Sequence, residues 1–182
     1  MNVNQQIGEL SNKNKVELAN IFNVTQMTMI RAMESLLNND LCNENKEGVA
    51  KYISFKERKE LWEYLKKHVD SPVKETVCFK HISKNLPFSG ISALSKKTTL
   101  ADDDVPVFAI SKKAFNKKYS DNDLVLDEFS KSKVEIWNRE PILQENGIIN
   151  PLDIFLICNK DEDERVQIEL EKLLKELGLN YD

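Results

Sequence analysis

The sequence predicts an α+β protein, and three observations carry that prediction. Between Lys15 and Leu37, apolar residues recur every three and four positions on either side of an Asn23-Val24-Thr25 break, the pattern of two short helices joined by a tight turn. From Leu41 to Phe55, two extended segments flank a polar turn containing glycine, the pattern of a hairpin. Beyond Val73, apolar runs alternate with amphipathic stretches, as in a mixed sheet with helices. The expected parts are residues 1–55, a linking helix within 56–72, and an α+β region over 73–182.

The first helix rests on Val16, Leu18, Ala19 and Phe22. Small Ala19 permits close approach of a second helix, and Asn23 suits a turn conformation that most residues resist. Val24 fills the corner. Thr25 is placed to N-cap the second helix, whose buried stripe is Met29, Ala32, Met33 and Leu36. The remaining face holds Gln26, Thr28, Arg31 and Ser35. Gln and Arg can make paired hydrogen bonds to base edges, while Thr and Ser bond phosphate oxygens, so this face points to duplex DNA. Met27 and Ile30 interrupt it and either touch thymine methyls or pack against another element. The plainer alternative is a helical hairpin within a core.

Asn38-Asn39-Asp40 ends the second helix with residues that tolerate left-handed backbone. Leu41 and Cys42 begin one strand, Asn43 to Gly48 forms the polar turn, and Val49 to Phe55 returns as the second strand. Lys46 at the tip and Lys51 on the returning strand are candidates for phosphate contacts, opposed by neighbouring Glu44 and Glu47. Helix pair and hairpin together make a winged helix-turn-helix.

Leu18-Ala19, Val24-Thr25-Gln26-Met27-Thr28, Arg31-Ala32 and Leu36 resemble the winged helix-turn-helix of MarR-like bacterial transcriptional regulators, over Lys15 to Phe55. That resemblance implies a transcriptional regulator that binds double-stranded DNA. Such domains usually open with a longer first helix, whereas only Met1 to Leu10, with Val3, Ile7 and Leu10 on one side, is present. The chain is therefore expected to be a segment of a longer protein.

A chain of 182 residues with 41% apolar content can bury a substantial core. No segment is long and apolar enough to span a membrane and no signal-peptide pattern opens the chain, so a cytoplasmic location is expected. Cys42, Cys78 and Cys158 are odd in number and widely spaced, which argues against a disulfide framework. Net charge is -4 and unevenly distributed: up to His68 ten Lys and Arg face nine Asp and Glu, and the remainder carries 16 against 21. A near-neutral DNA-reading part gains little from counterion release, so useful binding calls for a homodimer or further basic surface.

Lys56 to Val69 reads as the linking helix, with Leu61, Trp62, Leu65 and Val69 as its apolar stripe, stopped by Asp70-Ser71-Pro72. Strands are expected over Val73 to Lys80, Val105 to Ser111 and Lys133 to Trp137, with helices over Ser89 to Leu100 and Asp163 to Leu177. Asp161 to Glu164 load the start of the last helix with negative charge, where the helix dipole favours it. Trp137, Phe108, Phe155, Leu173 and Leu177 are the expected core of this region. Phe88-Ser-Gly-Ile-Ser-Ala-Leu94, with Leu100 and Pro106-Val-Phe-Ala-Ile110, is similar to the region after the winged helix in AbiEi-type antitoxins. This implies a repressor whose second domain neutralises a toxin partner or assists assembly on an operator.

Enzyme signatures are weak. Ser89-Gly90-Ile91-Ser92 lacks a hydrolase elbow, and no phosphate loop ending in Gly-Lys-Ser or Gly-Lys-Thr occurs among five glycines. Cys78-x-x-His81 offers two ligands where zinc needs more, and Cys78 reads more plainly as a buried small apolar residue. Asp102-Asp103-Asp104 reads as a solvated loop rather than a cation site, and Trp62 and Trp137 as core anchors rather than base-stacking platforms. The expectation is a non-catalytic, sequence-specific DNA-binding transcriptional regulator without cofactor or metal, using Thr25, Gln26, Thr28, Arg31, Ser35, Lys46 and Lys51 on DNA. The alternative is an antitoxin or protein-interaction module whose winged helix is mainly an assembly surface, favoured by the near-neutral charge, Met27 and Ile30.

Overall fold

The computed structural model describes residues 10–81, 86–102, 104–120, 125–126, 132–143 and 145–179. The fold is α+β and divides into two compact units, Met1–Leu65 and Lys66–Asp182.

In the first unit α1 spans Lys15–Ile21 and α2 spans Gln26–Asn38. Asn14 starts α1 through a reciprocal cap: its side chain accepts the Val16 and Glu17 amides, both at 2.9 Å, while its own amide donates to Glu17 Oε2 at 2.8 Å. The turn that follows passes through Asn23 at φ +50°, and the Val24 amide closes it on Ala19 O at 3.0 Å. Thr25 caps α2 by accepting the Thr28 amide at 3.2 Å. At the other end Asn39 Nδ2 donates to Ser35 O at 2.8 Å and Asp40 takes φ +55°. Strands β1, Cys42–Glu47, and β2, Ala50–Phe55, pair antiparallel with Cys42 opposite Phe55 and Lys46 opposite Lys51. The chain ahead of α1 lies along the other edge of β2, where Lys13 bridges to Ile53.

Leu18, Ala19, Met29, Met33, Cys42 and Ile53 form the core of this unit, with Leu10, Leu36, Leu37 and Phe55 packed against it. Burial of a large apolar side chain contributes about 1.5–3 kcal/mol, more than the ~1 kcal/mol of an N-cap, so Met29 and Met33 decide which face of α2 turns to solvent. Three expectations are corrected. Val16, Phe22 and Val24 are 45%, 51% and 40% exposed, because a seven-residue α1 presents only Leu18 and Ala19 to its neighbour. Ala32 is exposed, while Leu36 packs against the core as expected and Leu37 joins it. The hairpin turn is Gly48-Val49 rather than Asn43 to Gly48, since Gly48 at φ +60° supplies the backbone that a two-residue turn requires. Lys46 therefore lies on β1, and the tip is a fully exposed Val49. Of the N-terminal helix expected over Met1 to Leu10, all but Leu10 lies outside the described residues. Helix α3, Arg58–His68, buries Trp62, while Val69, expected on its stripe, follows the helix and is 40% exposed.

The second unit is built on β3, Val73–His81, β4, Val107–Ser111, β5, Val125–Leu126, and β6, Lys133–Trp137, in the order β4-β6-β3-β5. The pair β4 and β6 runs parallel, and β3 is antiparallel to both of its neighbours. Alternation along β6 gives the sheet two apolar faces. Val134 and Ile136 join Phe79, Ile110 and Phe115 of α5, Lys112–Ser120. Trp137 joins Leu94 of α4, Gly90–Ser95, Ile154 of α6, Pro151–Cys158, and Leu170 and Leu173 of α7, Glu164–Glu176. Helix α4 stops at Ser95 rather than Leu100, while α7 is capped by Asp163, whose side chain accepts the Arg165 amide at 2.9 Å. Of the expected core residues, Trp137 and Leu173 are buried and Phe108, Phe155 and Leu177 half-buried. Among the described residues no helix is long and apolar enough to cross a membrane.

Candidate nucleic-acid interface

Thr28, Arg31 and Ser35 are all exposed on α2, and their spacing of three and four places them on one strip. Met27, Ala32, Glu34 and Asn38 are also exposed on this helix. Gln26 does not share the strip. It stands three and seven residues before Met29 and Met33, on the core-facing side by helical periodicity, and reaches solvent because it belongs to the first turn. Thr25 is engaged as the cap, and its hydroxyl also lies 2.9 Å from the Thr28 hydroxyl. Arg31 makes no ion pair among the described residues, so its guanidinium is available for a base edge or a phosphate.

The two hairpin lysines differ. Lys46 is exposed and forms no ion pair among the described residues. Lys51 is held by Glu44 at 2.6 Å, and the other Glu44 oxygen takes Lys15 Nζ at 2.9 Å. Hydrogen bonds from Lys51 and then Lys15 hold the Glu44 carboxyl below the usual range. Lys15 is the first residue of α1, directly after the Asn14 cap, and was not among the expected DNA-binding residues. Around the turn between the helices Ile21, Phe22, Val24 and Met27 are 53%, 51%, 40% and 57% exposed.

The second unit holds buried polar networks among its described residues. Ser89 and the Trp137 indole both donate to Glu135 Oε2. Asp153, 2% exposed, accepts from Arg139 and from Asn150 Nδ2. Asp102 accepts Ser92 Oγ at 2.9 Å and faces Lys96, while Asp103 lies outside the described residues. Burial pushes the Cys158 thiol up to about 12, with Glu135 and Asp161 adding to the effect, which favours the protonated thiol. Cys78 is half-buried rather than buried, and the side chain of His81 lies outside the described residues. Among the described residues no three potential metal ligands gather.

Comparison with protein-family models, curated proteins and solved structures returns no match to this chain.

Proposed function

We infer that residues 1–55 form a winged helix-turn-helix that binds double-stranded DNA, and that the chain is a non-catalytic transcriptional regulator acting in the cytoplasm. The observation that carries this is the exposed strip of Thr28, Arg31 and Ser35 on α2, with a guanidinium that has no ion-pair partner among the described residues. Base readout needs donors and acceptors that are solvent-facing and held on a rigid element, and the burial of Met29 and Met33 holds this strip in place. The order of helix, turn, helix and hairpin adds support, as does Lys46 on the hairpin. An electrophoretic shift of the duplex upstream of the protein's own coding region tests it. A retarded band that unlabelled copies of that duplex displace better than scrambled DNA supports the reading, and no retardation at low salt contradicts it.

A second reading has its own observation. The exposed Ile21, Phe22, Val24 and Met27 suit a protein contact better than a phosphate backbone, so the same unit serves as an assembly surface in an antitoxin or other interaction module. Under either reading residues 73–182 bind a partner, a second copy or a toxin. Light scattering of the purified chain separates these: a dimer favours the regulator, and a monomer that co-purifies with a neighbouring gene product favours the antitoxin.

A further inference from the structure

Two lysines from different elements converge on one glutamate beside the hairpin. Lys13 bridges to Ile53 on one edge of β2, and Glu44 is the cross-strand partner of Ile53 on the other. This arrangement brings Lys15, two residues further on, to Glu44 Oε1 at 2.9 Å, while Lys51 reaches Oε2 at 2.6 Å. The three side chains border a groove of about 570 Å³ together with Asn14, Val16 and Glu17. Three backbone amides there are already engaged, since the Asn14 side chain accepts those of Val16 and Glu17 and Glu17 accepts that of Asn14. The groove's two cationic side chains are these lysines, and Glu44 occupies the position between them.

Given the duplex-binding role proposed above, we propose that Lys15 and Lys51 form a phosphate-binding site for the nucleic-acid backbone, and that Glu44 is its built-in competitor, displaced when a phosphate enters. Displacement costs little at Lys51, whose side chain is 62% exposed and whose pair is screened by water, and more at Lys15, which like Glu44 is largely covered at 28% and 22% exposure. A duplex presents many phosphates at once, whereas a free phosphate competes singly, so the site discriminates a polyanion from the ions around it. Glu44 thus restrains sequence-independent affinity and leaves the α2 strip to decide where the protein stays.

The test is anisotropy of a labelled random-sequence duplex with the full chain at fixed low salt. Glu44→Gln is expected to tighten binding about five- to tenfold, as both lysines are released from Glu44. Glu47→Gln makes the same change of net charge in the same hairpin, and Glu47 forms no ion pair among the described residues, so it should stay within about twofold of the parent. Adding Lys15→Gln or Lys51→Gln to Glu44→Gln should cancel the gain. Glu44→Asp, too short to span both lysines yet equal in charge, should show part of the gain and serves if Glu44→Gln does not fold. Equal behaviour of Glu44→Gln and Glu47→Gln, or a gain that survives loss of both lysines, overturns the proposal. If no variant binds duplex, the DNA-binding reading itself falls. Elution from immobilised heparin then still decides the anion site, which stands only if Glu44→Gln needs more salt than Glu47→Gln.

Discussion

Ser89 donates its hydroxyl to the Glu135 carboxylate at 2.5 Å, tying the residue ahead of α4 to the central strand β6. The Trp137 indole donates to the same oxygen at 3.3 Å. Gly90 sits against the other oxygen at φ +50°, where an added Cβ would meet Glu135 Oε1 at 3.0 Å. Gly90→Ala therefore combines left-handed strain with a collision against a buried carboxylate. A loss of about 1–3 kcal/mol is expected in thermal melting, and an unchanged midpoint would show that the contact can relax freely.

The same carboxylate makes stability depend on pH. Burial raises the Glu135 carboxyl above its usual value, and the hydrogen bonds from Ser89 and Trp137 only partly oppose this. The folded state therefore holds this proton more tightly than the unfolded state. The resulting stabilisation is complete below the ordinary carboxylate range and is lost as pH rises through the raised folded value. Glu135→Gln keeps the shape without the charge. Its melting midpoint should exceed the parent's increasingly as pH rises from about 4 to about 8, and a constant difference across that range would contradict the assignment.

Asp153 anchors the start of α6, accepting from Asn150 and from Arg139, which is 39% exposed. Asp153→Ala strands a guanidinium that can still reach water, so the cost is that of charge-assisted hydrogen bonds rather than of a fully buried ion. A loss of about 1.5–3 kcal/mol is expected in urea unfolding. A loss below about 0.5 kcal/mol would place the stability of α6 in its apolar contacts alone.

Lys46, exposed on β1, should contact one phosphate. Lys46→Gln is expected to flatten log affinity against log salt by roughly one unit without changing the preferred sequence. A slope equal to the parent's removes Lys46 from the interface.

The turn between the first two helices was legible because its chemistry is local. Asn23 takes positive φ and Thr25 caps α2 as their residue types require. Lys133 to Trp137 was legible as a strand for the same reason, and Asp163 as a helix start. What was not legible depends on partners distant in sequence. Ala32 has the spacing of a buried residue yet is exposed, while Leu37 packs against the core. Pro151–Cys158 is apolar apart from Asp153 and has no helical period to read, because it is buried among α4, α7 and the sheet. Lys15 carried no signal as a site residue, since its relation to Glu44 depends on the Lys13–Ile53 bridge.

The central claim is that the α2 strip reads DNA, and its most direct test is the affinity of the Thr28→Ala/Arg31→Ala variant of this chain for the upstream duplex, measured by anisotropy beside the parent. Both residues are exposed, so thermal stability should shift by less than about 0.5 kcal/mol per substitution. Binding should weaken at least about tenfold, with the preference over scrambled DNA reduced. A folded double variant that binds that duplex as tightly and as selectively as the parent would contradict the account.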